Sequence, residues 1–461
     1  MDAFPRVMTC ALAISFLLSA CQKNDDPTPA AQDNELDTEL TNLLELEGGQ
    51  QGLNYFMLPS SSDYSQIPQD PNNPLTQAKI ELGKMLFHET GIARNPRLFS
   101  SENEFSCASC HHSGAGFQAG MTQGIGEGGF GFGFNGEGRT IDPEYFDDPL
   151  WKDSIDVQPI RSPSILNIAY QKNVLWNGQF GATDQNEGTE YAWTEGTPKF
   201  FNHLGFEGTE TQAIAGQTVH RLLVDHDFCE EYSDYMNLFA QAFGNVPTNV
   251  DELRINTGLA IAAYERTVLA NEAPFQNWLR GSRNALSDEE KRGAILFFGK
   301  ANCVSCHTGP ALNSMEFHAY GMNDLFLLPE VFLANENSIE NLGRGGFTGN
   351  SDDNYKFKVP QLYNLRNVEQ LGHGSSFSNL TEVVEYKNLA VAENMNVPES
   401  QLAQEFEPLM LSKDEVRDLV AFLENSLYDQ NLERYVPQEL PTGMCFPNAD
   451  PQSMVDQGCS E

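Results

Sequence analysis

Apolar positions along this chain fall mostly at helical spacing. Between Pro74 and Glu89, Ala78, Leu82, Met85 and Leu86 recur every three or four residues with charges between them, which predicts a helix. Ser287-Asp288-Glu289-Glu290 is a capping box that opens a helix through Ile295, Leu296 and Phe298. A second box, Ser412-Lys413-Asp414-Glu415, opens a helix whose Val416, Leu419, Val420, Leu423 and Leu427 form one apolar stripe. Residues 211–226, 230–243 and 250–271 also read as helices. No stretch alternates over several strands, so the expected fold is mainly α. Between Gly114 and Gly138, eleven glycines are interleaved with Phe117, Phe130, Phe132 and Phe134. That segment has neither the preceding strand nor the Gly-Lys-Ser/Thr ending of a phosphate-cradling loop, and is expected as irregular loop.

Two runs of one form stand out: Cys107-Ala108-Ser109-Cys110-His111 and Cys303-Val304-Ser305-Cys306-His307. In each, the thiols can form thioether bonds to haem vinyl groups, and the histidine after the second thiol can ligate the iron. A structural zinc site would need both thiol pairs to converge in one small module, and a redox dithiol would sit beside a βαβ pattern. Neither pattern is present. The expected cofactors are two covalently attached haem c groups, one on Cys107, Cys110 and His111, the other on Cys303, Cys306 and His307.

Residues 1–20 place Arg6 ahead of an apolar stretch from Ala11 to Leu18, which ends in Leu18-Ser19-Ala20-Cys21. This is the pattern of a secretory signal, too short to cross a bilayer permanently, and its end resembles a bacterial lipobox. Cleavage before Cys21 would leave a lipidated N-terminus, with residues 21–52 as tether and linker. Gln22 after the lipid site points to the outer membrane, with the protein periplasmic or surface-facing. An ordinary signal peptide with a soluble product is the alternative. Of nine cysteines, Cys10 then leaves with the signal, Cys21 carries lipid and four carry haem. Cys445 and Cys459 can close a short disulfide loop worth about 3 kcal/mol, which leaves Cys229 as an unpaired thiol. The formal charge of −38 excludes nucleic acid as a partner and would steer in a basic protein, while a neutral substrate is indifferent to it. A chain of 461 residues exceeds one core, so two or three units are expected.

From Pro74 to Tyr428 the chain resembles the bacterial diheme cytochrome c peroxidases and the related MauG-type diheme oxidases. The likeness is carried, in order, by Leu82-Gly83-Lys84-Met85-Leu86-Phe87, Ser162-Pro163-Ser164-Ile165-Leu166-Asn167, Trp176-Asn177-Gly178 and Phe275-Gln276-Asn277-Trp278-Leu279. It continues through Cys306-His307-Thr308-Gly309-Pro310, Gly343-Arg344, Thr348-Gly349-Asn350 and Lys358-Val359-Pro360-Gln361-Leu362. The resemblance implies two cytochrome c-like haem domains with long connecting loops, expected over 53–225 and 226–435, followed by a loop-rich tail over 436–461. The first haem would be the peroxidatic centre, and the second an electron-entry or charge-storing one. Trp176 would bridge them, with Asn177 and Gln179 standing where the family often has Asp and Arg. The family's acid/base glutamate falls on Glu210, with Glu207 as second choice.

Peroxide cleavage needs an open iron and a group that moves a proton between the two oxygens. No histidine occurs between His112 and His203, so the distal histidine that blocks the first iron in many family members is missing. A five-coordinate first haem is therefore expected, with His112 kept off the distal face by its place beside the proximal ligand. At the second haem the family's ligand register falls on Lys387, with Tyr386 one residue earlier. Neighbours on a helix point about 100° apart, so only one of the two can reach the iron. The family's interdomain calcium ion lies near an asparagine that is here Arg161, so calcium is expected weakly or not at all. The implied activity is reduction of hydrogen peroxide to water with electrons from a small cytochrome c or copper protein. The alternatives are a MauG-type oxidase of a partner protein and a non-catalytic diheme electron carrier. Contact with membrane is expected only through the lipid anchor.

Overall fold

Each Cys-x-x-Cys-His run follows a helix that crosses a second helix at a glycine. The computed structural model in which this is seen describes Met1 and residues 34–459, apart from 144 and 146–153. The expected signal, Cys10 and the lipid site Cys21 lie outside the described residues. Gln77–His88, capped by the Thr76 side chain, buries Leu82, Leu86 and Phe87 and crosses Val250–Thr267. At the crossing a Cβ on Gly83 would lie 1.9 Å from the Ala260 carbonyl oxygen. Asp288–Phe298, opened by the Ser287 capping box, crosses Lys413–Ala421, where a Cβ on Gly293 would lie 1.9 Å from the Asp418 carbonyl oxygen. Only a residue without a side chain lets the two axes approach this closely.

The described chain is mainly α, as the spacing predicts; its strands are two short antiparallel ladders, Gly129–Phe130 with Thr140–Ile141 and Phe317–His318 with Phe357–Lys358. The stripe from Val416 to Leu427 is buried. Its helix widens into a π-turn over Phe422–Ser426, where Phe422 packs on Phe275, Phe297 and Phe298. The single helix expected over 211–226 is instead Gly208–Val219 followed by His226–Glu231. The break falls at Arg221, whose φ of 58° is left-handed. Its guanidinium is drawn to the buried Glu127 carboxylate and the Ser154 carbonyl, and that pair fixes the bend.

The expected boundary between 225 and 226 falls inside one helical layer, because Ser233–Phe243 and Val250–Thr267 both pack on Gln77–His88 ahead of the first haem run. One continuous apolar core runs through both halves.

Both ends of the stretch 34–459 pack on the core. Within the stretch expected as linker, Glu35–Gly48 is a helix that buries Leu40 and Leu44 and packs on Asp288–Phe298. Asp37, also buried, accepts from Trp278 Nε1 at 2.7 Å and from Lys291 Nζ at 2.9 Å. Breaking a buried ion pair costs about 3–5 kcal/mol, so this contact docks the helix on the second half. The segment from 436, expected as a tail without a role, returns to the first half. Cys445 and Cys459 form the expected disulfide, and Cys229 is buried and free. Ser106 and Ser109 donate to the Pro447 carbonyl at 2.9 and 3.1 Å. Arg139, from the glycine-rich loop, pairs with the buried Asp450 at 3.3 Å and also donates to the carbonyls of Ile125, Gly126 and Gly131. A loop with few side chains of its own is held by one arginine and the returning chain.

Candidate functional site

Both Cys-x-x-Cys-His runs open on one cavity of about 1010 Å³, which touches Cys107, Cys110, His111, Cys303, Cys306 and His307. Each run folds as a single tight turn that brings its histidine back over the first cysteine: His111 N donates to Cys107 O at 3.2 Å, and His307 N to Cys303 O at 2.9 Å. His111 Nδ1 faces the Phe117 carbonyl at 3.4 Å, and His307 Nδ1 faces the Leu312 and Pro360 carbonyls at 3.1 Å each. These carbonyls hold the proton on Nδ1 and leave Nε2 with its lone pair. Burial pushes both imidazoles down to about 4, so each is neutral and able to bind metal. Burial likewise pushes Cys110 and Cys303 up to about 12 and Cys107 higher still. Neutral thiols suit thioether attachment. Cys306 is the exception, lowered by His318 at 3.8 Å; with Glu316 these two make the one three-residue group of metal-binding spacing among the described residues. It holds one haem thiol and two exposed or half-buried partners.

Trp176 stands between the two runs. Its Nε1 donates to the Arg161 carbonyl at 2.8 Å, and its own carbonyl accepts from Lys358 N at 2.8 Å. Two residues beyond Arg161, the Pro163 backbone contacts His111, and two residues beyond Lys358, the Pro360 carbonyl meets His307. The motifs Ser162-Pro163 and Val359-Pro360 are therefore matching straps, each running from the tryptophan to one proximal histidine. The indole also meets His373 edge-on, with ring centres 6.3 Å apart, and His373 stacks on Phe357 at 3.6 Å. From the second half, Arg344 donates to the carbonyls of Asn177, Gly178 and Gln185 and to Asn186 Oδ1, pinning the loop after Trp176.

Glu210 and Glu207 do not line the cavity. Glu210 is fully buried against Arg266, with Oε1 to Nε at 2.8 Å and Oε2 to Nη2 at 2.6 Å, and Glu207 Oε2 meets the same guanidinium at 3.0 Å. On Gly208–Val219 the cavity face begins with Gln212, Ala213 and Gly216, a turn past Glu210. These two carboxylates belong to a structural pair, and the acid/base assignment made from the sequence is corrected. His112 packs edge-on against Phe132 and does not line the cavity.

Four further groups stand on the cavity wall, of which His220 and Glu265 carry no signal in the sequence. His220, at the end of Gly208–Val219, binds Asp156 through Nδ1 at 2.8 Å. Burial opposes its charge, but Asp156 outweighs burial and the ring titrates above its ordinary value. His220 lies beyond the segment searched for a distal histidine, and no local signal joins it to Asp156. Arg161 is buried, its guanidinium donating to the neutral oxygens of Met121, Gln118 and Ala119 at 3.0–3.1 Å, and burial pushes it down to about 9. Lys358 donates to Gln171 and is pushed by burial down to about 7. Glu265 is buried with one carboxylate oxygen lacking a partner.

At the second run, Lys387 lines the cavity with Nζ over the Tyr320 ring, and burial pushes it down to about 7. Tyr386 faces away; it packs on Phe377 and Phe406 and donates to the Tyr320 carbonyl at 2.6 Å. Among the described residues, the basic side chains Arg161 and Lys358 stand on the cavity wall without a carboxylate within ion-pair distance. They fit a prosthetic group that brings its own carboxylates, as haem does.

The sequence profile of the di-haem cytochrome c peroxidase family matches residues 77–284. Over 350 residues the chain is 30% identical to the cytochrome c551 peroxidase of Nitrosomonas europaea, covering 76% of this chain and 80% of that one. Over 361 residues it is 28% identical to the methylamine utilization protein MauG of Methylorubrum extorquens, covering 78% and 80%. A crystal structure of a MauG-like protein associated with microbial copper homeostasis superposes with a TM-score of 0.55 at 22% identity, over 81% of this chain and 95% of that one. The diheme peroxidase BthA from Burkholderia thailandensis superposes with a TM-score of 0.51 at 18% identity, over 82% and 92%. The shared fold is that of these diheme proteins.

Glu265 offers a direct test of the burial on this wall. Burial first, then Glu210, raises its carboxyl from 4.5 to about 8, against the opposing pull of Arg266. The folded protein therefore keeps a proton that the unfolded chain releases, so this group's contribution to stability is full below 4.5 and lost as pH rises through 8. Glu265→Gln should leave the melting temperature of the haem-loaded protein unchanged near pH 4.5 and raise it near pH 8. An equal offset at both ends, read by thermal unfolding, would contradict this placement.

Proposed function

Because this chain belongs to the di-haem cytochrome c peroxidase family, we propose that it reduces hydrogen peroxide to water with electrons from a small cytochrome c or copper protein. In this reading Cys107, Cys110 and His111 hold the haem that meets peroxide, and Cys303, Cys306 and His307 hold the haem that receives or stores electrons. Haem iron supplies the redox chemistry; the chain supplies attachment, orientation and the path between the centres. The observation that carries the reading is Trp176, hydrogen-bonded to both proline straps and so to the surroundings of both proximal histidines. The acidic surface, net −38, favours a basic donor.

Lys387 is proposed as the distal ligand of the second haem, in preference to Tyr386, because it alone of the two faces the cavity. Its lowered pKa makes the unprotonated amine accessible. Arg161 is proposed to take the place of the interdomain calcium ion, since its guanidinium already fills a nest of neutral oxygens suited to a hard cation. A second reading, oxidation of a partner protein as in MauG, is favoured by the same Lys387: an amine ligand lowers the haem potential relative to a thioether and stabilises stored oxidising equivalents. For location we propose a lipoprotein anchored through Cys21 in the outer membrane. Among the described residues no helix is long and apolar enough to cross a membrane.

Peroxide-dependent oxidation of a reduced basic cytochrome c tests the main reading. Trp176→Phe should slow it by about tenfold or more, a barrier increase of about 1.4 kcal/mol, while peroxide still alters the spectrum of the first haem. Turnover equal to that of the unaltered protein would refute the bridge. Absence of turnover with any small donor, with a spectral change that decays only on adding a protein substrate, would favour the second reading. In electron paramagnetic resonance of the ferric protein, Lys387→Ala should convert the second haem's low-spin signal to high spin and Tyr386→Phe should not; the reverse pattern would exchange the assignments. Cys21→Ser should move the protein from the membrane pellet to the soluble periplasmic fraction.

A further inference from the structure

With Glu207 and Glu210 outside the cavity, the first haem site lacks its expected acid/base. Among the described residues lining that half of the cavity, the imidazoles and carboxylates are His111, Asp156, His220 and Glu265, while Lys358 is spent on Gln171 Oε1. His111 is committed to the iron. Glu265 has one oxygen, Oε2, sealed from the cavity with under 1 Å² exposed, and burial keeps its carboxyl protonated up to about 8, so it offers no base at neutral pH. Asp156 is buried and spends its Oδ2 on His220.

His220 differs from all of these. It is enclosed by the cavity wall, yet 37% of its side chain is exposed, which is the signature of a ring that faces into the empty space. Nδ1 is bound to Asp156, and Nε2 has no hydrogen-bond partner among the described residues. The pair is rigidly set. His220 N donates to Gly216 O at 2.8 Å at the helix end, and the next residue, Arg221, is locked onto the buried Glu127 and Ser154 O. Asp156 is clamped on both sides by its own backbone: Gly126 N donates to its carbonyl and its N donates to the Glu127 carbonyl, each at 2.9 Å. The same Glu127 thus anchors both members. A carboxylate on Nδ1 fixes the tautomer and aims a basic Nε2 outward, the arrangement by which an imidazole becomes a proton-transfer catalyst.

We propose that His220, oriented by Asp156, is the acid/base of the first haem site. This rests on the peroxidase reading. With haem held there to supply the redox chemistry, Nε2 would take one proton from peroxide and return it to the oxygen that leaves as water with the electron pair of the O–O bond; the second oxygen would leave as water on receiving two electrons from the donor and two protons from solvent. His220 is the catalytic residue here, and Asp156 is a positioning residue that acts through it.

Hydrogen cyanide, which must lose a proton to bind ferric haem, separates this role from turnover. In the haem-loaded protein, His220→Gln should slow cyanide association and the peroxide-driven spectral change each by about 100-fold, with the first haem remaining high-spin. Asp156→Asn should slow both by about tenfold, and Asp156→Glu should recover most of the loss. Rates within about threefold of the unaltered protein for His220→Gln would overturn the proposal, given the range expected of a general acid/base. So would a low-spin first haem that turns high-spin and binds cyanide faster in His220→Gln, since His220 would then be an iron ligand. If His220→Gln does not load haem, the two Asp156 variants decide the matter by the same rates. Cyanide association that depends on His220 in a protein inert to peroxide would sink the peroxidase reading and leave the proton role standing.

Discussion

The main chain around one indole ties the two haem halves together. Trp176 donates from its ring to the Arg161 carbonyl and accepts on its own carbonyl from Lys358 N, closing two hydrogen bonds to two different segments. Each bond contributes only about 1 kcal/mol net, but a buried backbone group left without a partner costs more, so neither strap shifts alone. Each strap ends two residues later in a proline beside a proximal histidine. The spacing between His111 and His307 is thereby held by backbone. Gln179 stands in place of the family's arginine, and Arg344, reaching across from the second half, holds the same loop from outside.

What the sequence made legible is what depends on near neighbours. The capping boxes at Ser287 and Ser412 appear where the pattern places them, because a side chain satisfying an amide three residues on needs no distant partner. The haem runs and the Cys445–Cys459 link were legible for the same reason. The errors come from long-range pairing. Glu210 sits at a helix start where an acid/base residue is plausible, but Arg266, 56 residues away, claims it. His220 and Asp156 are 64 residues apart, with nothing between them to announce the contact. The helix over 211–226 breaks because Arg221 answers to Glu127, a partner 94 residues earlier. Lys387 and Tyr386 could be separated only by seeing which side of the helix faces the cavity.

The distribution of charge follows the same logic. The chain as a whole is strongly acidic, yet the cavity wall carries the basic side chains Arg161 and Lys358. Buried Glu210 and half-buried Glu207, which sequence reasoning placed at the reactive centre, are instead paired with Arg266. The cavity wall thus carries both signs, with Asp156, Glu265 and Asp324 among its carboxylates and Arg161 and Lys358 among its basic groups.

The returning segment after residue 436 has a bearing on the order of assembly. Arg139 and Asp450 are 311 residues apart, so the glycine-rich loop is latched by chain that a ribosome makes long after the loop itself. Closing so large a loop is slow, and until it closes the glycine-rich segment lacks this anchor. The loop therefore takes its final place late in folding.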